Sequence, residues 1–144
     1  MLTIPKLGSR LRLSALGYGV ILFIWSSLED NSVLPVALLG SGLTLLLGAL
    51  WVAARFGGKT FAARSALLFA ALAGAATGLG SGLAVVLLML IKNGLHAHLF
   101  PDYPFGLIVD ILARAPLWAL AGIFAGIGLL LALWAIKQKD GKQG

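Results

Sequence analysis

The chain has no cysteine among its 144 residues. Disulfides, thiolate metal sites and thiol nucleophiles are therefore excluded, while the compartment stays open. Charge is also scarce. Only 11% of the residues are Asp, Glu, Lys or Arg, against about 25% in soluble globular domains, which argues against a water-soluble fold. Acids are scarcer still, five against eleven Lys and Arg. A third absence is positional. No Asp, Glu, Lys, Arg or His falls within any of four apolar runs, residues 13–28, 33–54, 66–91 and 116–136. Ionisable groups inside a membrane are costly and mark ion paths, proton relays or substrate counter-charges. A proton-coupled small multidrug transporter has a similar length, but it needs a carboxylate in its first helix. A rotor-type proteolipid needs a buried carboxylate too. Both readings are disfavoured.

What is present is apolar: 60% of the chain. A bilayer-crossing helix needs about 20 mostly apolar residues, and 144 residues hold four such spans and little else. The expected fold is therefore all-α, a single integral membrane domain over residues 1–144 with four transmembrane helices. Span 1 is short and follows Lys6, Arg10 and Arg12. Its end, "FIWSSLED", has no A-x-A-like cleavage site, so it reads as a retained signal anchor whose arginines snorkel. Ser32 is the expected N-cap of span 2, with Pro35 in the first turn. Span 3 exceeds the thickness of the lipid core and must tilt or project. Pro116 suits the first turn of span 4, and the polar tail 137–144 is expected to be disordered.

The net charge of +6 suggests nucleic acid at first sight, but its distribution points to a bilayer instead. With the N-terminus inside, Lys6, Arg10, Arg12, Arg55, Lys59, Arg64, Lys137, Lys139 and Lys142 all fall on the inner side. Only Lys92 and Arg114 fall outside, together with four of the five acids. The positive-inside rule then predicts both termini cytoplasmic. The tryptophans agree independently: Trp25 and Trp118 fall at outer span ends, Trp51 and Trp134 at inner ends, as an aromatic belt requires.

The strongest positive pattern is in span 3, where Ala66, Ala70, Gly74, Gly78 and Gly82 recur every four residues. That spacing puts a strip of small residues along nearly one face of a helix. Gly122 and Gly126 make a shorter version in span 4. Lipid gives little hydrophobic drive for helix association, so such strips mark close packing. The strip receives one of this chain's own helices, spans 2 and 4 being the candidates, or a helix of another subunit or second copy, or a pigment or lipid. The "GLGSG" within the strip mimics a phosphate loop, but it has no preceding strand and no Lys-Ser/Thr after it, and that reading is rejected.

The polar interval Lys92–Ala115 holds His96, His98 and Asp102. Two histidines two apart point to different faces of a helix, and a metal would want further ligands; they read as interfacial polar residues of an outer loop. "PDYP" is expected to turn the chain. The run Phe105–Ala115 puts Phe105, Ile108, Ile111 and Leu112 near one face, with Asp110 and Arg114 an i, i+4 pair. It is expected to form a short interfacial helix before the last span.

Residues 70–136 resemble a family of small uncharacterised membrane proteins of cyanobacteria and chloroplasts. The resemblance rests on Gly74–Gly82, "LFPDYP", "LARAPLWALAG" and Gly122–Gly128. The two N-terminal spans depart from that pattern. The resemblance implies an inner or thylakoid membrane and no activity. The sequence as a whole therefore points to a non-catalytic accessory, assembly or stabilising subunit of a larger membrane complex, without a cofactor or metal. Its partners are the bilayer and other membrane subunits or a second copy, not nucleic acid. The alternative is a small homo-oligomeric channel for a neutral or lipid-like substrate, with Ser41, Thr44, Thr77 and Ser81 lining the pore. An enzyme acting on a lipid headgroup through His96, His98 and Asp102 lacks a nucleophile–base arrangement.

Overall fold

A chain this apolar satisfies its backbone most simply as helix, because hydrocarbon offers no other partner for N–H and C=O groups. The computed structural model describes residues 2–5, 8–28, 31–96 and 101–140. In chain order they form β1 (Leu2–Thr3), α1 (Ser9–Ser26), α2 (Val33–Phe56), β2 (Thr60–Phe61), α3 (Ala63–Leu95), α4 (Phe105–Ala113) and α5 (Ala115–Asp140). The structure is all-α apart from one two-residue ribbon.

Among the described residues, α2, α3 and residues Ala115–Ile136 of α5 are long and apolar enough to cross a membrane. α1 is not in that group. It has 18 residues and carries Arg10 and Arg12 near its start, and residues 13–26 rise only about 21 Å against a core of about 30 Å. α3, with 33 residues, is about 50 Å long and extends well past any lipid core.

α3 is the centre of the arrangement. α5 lies along one side of it and α2 along another; α1 touches α2, and α4 packs on α3 near the start of α5. α1 is held to α2 through Tyr18, whose hydroxyl donates to the Leu39 carbonyl. Because α2 and α5 pack on α3 far more than on each other, a cleft of about 770 Å³ remains between them. Its lining is almost entirely apolar or small. Gly48, Ala73, Gly74 and Gly126 are part of it, with Ile4 and Trp134 among the other lining residues.

The ribbon was not legible in the sequence. β1 pairs antiparallel with β2, Leu2 opposite Phe61 and Thr3 opposite Thr60. The Ile4 N–H donates to the Lys59 carbonyl at 3.1 Å, and the Gly58 N–H donates to the Ile4 carbonyl at 2.8 Å. Gly58 takes φ 83°, where a side chain would be strained. The N-terminal segment is thereby tied to the turn between α2 and α3. Phe56 fills that turn, with its ring edge-on to Trp51, Phe61 and Phe69 at centroid distances of 5.6, 6.0 and 5.1 Å. We refer to this as the basic end, since Arg55, Lys59 and Arg64 surround it, all exposed.

Several local expectations change. Ser32 does stand at the N-cap of α2, in extended backbone, but its side chain makes no capping bond. α5 continues as helix to Asp140, so the expected disordered tail enters the helix for residues 137–140; residues 141–144 lie outside the described set. The short helix before α5 is present as α4, with Ile108 buried and Phe105, Val109 and Leu112 exposed. The inward face is therefore set by Ile108 with Leu107 and Ile111, not by Phe105 and Leu112. Asp110 and Arg114 form no ion pair among the described residues, because α4 stops at Ala113 and Arg114 caps it.

Candidate functional site

A group of interacting polar side chains lies at the end opposite the basic one. The reason is local. Past Ile91 the α3 sequence turns polar, "KNGLH", yet the helix runs on to Leu95. Its last turn thus stands above the apolar part of the bundle, and the chain returning through Tyr103 folds back onto it. Ser81, Val85, Leu88 and Lys92 recur at spacings of four, three and four, and all four are buried. Lys92 is the continuation of the apolar stripe of α3 into this layer.

Lys92 is fully buried. Its ammonium lies 4.6 Å from the centroid of the Trp25 ring and 6.0 Å from that of Tyr103. Such contacts contribute about 2 kcal/mol when the cation has lost its water. Tyr103, also fully buried, is pinned at three atoms. Its N–H donates to Asn93 Oδ1 at 2.9 Å, its carbonyl accepts from Asn93 Nδ2 at 2.8 Å, and its hydroxyl donates to the Ser32 carbonyl at 3.2 Å. One residue earlier, Asp102 Oδ2 and His96 Nδ1 share a hydrogen bond of 2.6 Å. The layer therefore joins α1 (Trp25), the start of α2 (Ser32), the end of α3 (Lys92, Asn93, His96) and the approach to α4 (Asp102, Tyr103). Beneath it sits the main apolar cluster of Trp25, Val36, Val85, Leu88, Met89, Tyr103 and Ile108.

Of the loop residues singled out from the sequence, His96 and Asp102 meet each other; His98 lies outside the described residues. Among the described residues no group of three or more His, Asp or Glu comes together. Lys92, Asn93 and Tyr103 were missed as a unit. In the sequence Lys92 reads as a flanking charge; its place on the buried stripe of Ser81, Val85 and Leu88 follows from α3 continuing as helix past Ile91. Nothing in the sequence pairs Asn93 with a residue ten positions away. Replacing Asn93 with Ala would leave the Tyr103 N–H and carbonyl without their partner. We expect a loss of about 1–2 kcal/mol, read as a lower unfolding midpoint in detergent and as faster amide exchange at Tyr103.

The glycine strip is the second structure of interest. A Cβ built on Gly74 would collide with the Gly122 carbonyl oxygen, one on Gly122 with that of Gly74, one on Gly78 with that of Trp118, and one on Gly126 with that of Ala70. α3 and α5 thus run backbone against backbone. Gly82, the last of the repeat, meets only the edge of the Trp118 ring at 3.8 Å. Ala66, at the other end, is fully buried. α2 also approaches α3 closely: a Cβ on Gly40 would come within 2.6 Å of the Val85 side chain and 2.7 Å of its backbone nitrogen, and one on Gly80 within 2.7 Å of the Thr44 side chain.

The hydroxyls near these helix contacts point into their own helices. Thr44 donates to the Gly40 carbonyl at 3.1 Å, Thr77 to Ala73 at 2.8 Å and Ser81 to Thr77 at 2.8 Å.

No protein-family model, no curated protein and no solved structure matches this chain. What can be argued about its role rests on the residues themselves. Helix length and composition make it a candidate multi-pass membrane protein.

Proposed function

We propose that this chain is a non-catalytic, multi-pass membrane protein that serves as an accessory, assembly or stabilising subunit of a larger membrane complex. Four crossings are proposed, with α1 as the shortest, and both termini on the cytoplasmic side. α1 then needs Arg10 and Arg12 to reach the headgroups. The positive-inside count and the ribbon that holds residues 2–4 against the α2–α3 turn both support that arrangement. The resemblance of residues 70–136 to small cyanobacterial and chloroplast membrane proteins supports an inner or thylakoid membrane.

The observation that carries the reading is the use made of the polar groups. Thr44, Thr77 and Ser81 close bonds within their own helices, and Asn93 and Tyr103 bond each other. These are bonds that hold helices and a loop in place. The channel alternative needs those same hydroxyls to face a shared pore, and the enzyme alternative needs a titratable pair facing substrate. A chain whose side chains are committed to its own architecture suits a structural role in a larger assembly.

Native-size measurement after mild detergent extraction, on protein expressed at its own level, tests this. We expect migration with a much larger assembly whose other proteins are identified from the same band. Migration as a monomer or small homo-oligomer would overturn the accessory role and shift the reading to the channel, to be followed by liposome flux.

A further inference from the structure

The cleft between α2 and α5 is not filled by the chain's own side chains, and its two ends differ. Its floor is α3 at Phe69, Ala73 and Thr77, and small residues on all three helices keep it open. Towards the basic end Ile4 and Pro5 line the cleft, on the segment that the ribbon holds. Phe69, in the cleft wall, packs on Phe56 at 5.1 Å, and the Lys59 ammonium lies 5.4 Å from the centroid of the same Phe56 ring. A cation is therefore two aromatic contacts from the cavity, with Arg55 and Arg64 exposed at the same end. The cleft also contains one unspent donor. Trp134 lines it, and its indole Nε1 is buried without a hydrogen-bond partner among the described residues. A buried donor without a partner calls for an explanation, and a bound acceptor supplies one.

We propose that this cleft binds one acyl chain of an anionic phospholipid, with its phosphate at the basic rim formed by Lys59, Arg55 and Arg64 and an ester carbonyl accepting from Trp134 Nε1. The inference rests on the membrane placement proposed above and not on the subunit role. The chemistry matches at each level. The volume falls within the roughly 300–1,000 Å³ of ligand pockets, and the lining is apolar with few polar points, as such pockets are. The rim carries the charge that attracts an anionic headgroup, each Lys or Arg near the surface contributing about 1 kcal/mol. A zwitterionic lipid satisfies the apolar cleft and the indole equally well but gains little from the rim, so headgroup selectivity is the distinguishing property.

The test uses the full chain, purified in mild detergent and supplied with phosphatidylglycerol or phosphatidylcholine. Retained lipid is counted by native mass spectrometry, and the unfolding midpoint is followed in parallel. We expect one phosphatidylglycerol to be retained through detergent exchange and to raise the midpoint more than phosphatidylcholine does. Gly48→Leu fills the cleft from a position where a Cβ meets only Thr77 Oγ1, at 3.7 Å. It should abolish retention with helix content unchanged. Lys59→Gln should weaken retention of phosphatidylglycerol about fivefold, the equivalent of about 1 kcal/mol, and leave phosphatidylcholine unaffected. Trp134→Phe, which keeps a ring but loses the donor, should weaken both lipids and serves if Gly48→Leu fails to fold. Equal retention of the two lipids by the unaltered chain would overturn the proposal. So would unchanged retention in Gly48→Leu, which would put the lipid elsewhere on the surface, or a co-purifying protein that blocks lipid uptake, which would make the cleft a seat for a partner helix. A chain that retains the lipid but migrates alone would leave the lipid site standing and remove the subunit role.

Discussion

Gly74→Leu is expected to separate α3 from α5 and to leave the protein unable to hold its fold in detergent at temperatures where the parent chain is stable. The argument is geometric. The Gly74 and Gly122 backbones face each other so closely that a Cβ on either strikes the carbonyl oxygen of the other. A flexible neighbouring side chain can turn away; a backbone carbonyl bonded within its own helix cannot. Alanine replaces glycine in helices with a gain of roughly 0.5–1 kcal/mol in open positions. Overpacking a close contact costs roughly 1–3 kcal/mol. For Gly74→Ala we expect the second effect to win, with a net loss of about 1–2 kcal/mol, and for Gly74→Leu a loss beyond 3. Gly128→Ala, on the same helix as Gly122 but with open space around its Cβ, should be neutral or slightly stabilising. The double variant Gly74→Ala, Gly122→Ala should lose less than the sum of the single ones, because helices already pushed apart accommodate the second methyl. Reversible unfolding of the series in one detergent checks all four. If Gly74→Ala behaves like Gly128→Ala, the two helices do not meet as described.

Lys92→Met should release the end of α1 from the bundle and lower stability by about 2–3 kcal/mol. Methionine keeps the length and the apolar stem of the side chain but removes the cation that sits between Trp25 and Tyr103. Two effects oppose each other. Burying an ammonium costs solvation, and replacing buried charge with an apolar group is sometimes stabilising. Against this, two aromatic faces surround the cation, and a desolvated cation–π contact contributes about 2 kcal/mol. α1 also has few other attachments, Tyr18 to Leu39 being the clearest. Hydrogen exchange should therefore quicken over residues 20–28, at the far end of α1, more than anywhere in α3. Lys92→Arg should keep at least half of the stability, since a guanidinium also stacks on aromatic rings. A Lys92→Met chain more stable than the parent would mean that desolvation dominates and that Lys92 is retained for some other purpose.

The sequence by itself determined the helices, because long apolar runs in this composition have no other way to satisfy their backbone, and α2, α3 and α5 fall where the runs do. It also located the small-residue face of α3, since a period of four on a helix needs no tertiary information, and the turn at "PDYP". It did not determine which helix meets that face. Gly74 and Gly78 would have accommodated α2 as readily as α5, and only the paired positions of Gly122, Gly126 and Trp118 decide it. Lys92 reads in the sequence as a flanking charge outside the membrane. Its burial depends on Trp25, 67 residues earlier, and on a loop folding back through Asn93 and Tyr103. The ribbon at Leu2–Thr3 is too short for a periodicity to reveal. The cleft is the clearest case. It exists because α2 and α5 pack on α3 and leave space between them, and an angle between helices is set by the fit of side chains across contacts that no single stretch of sequence contains.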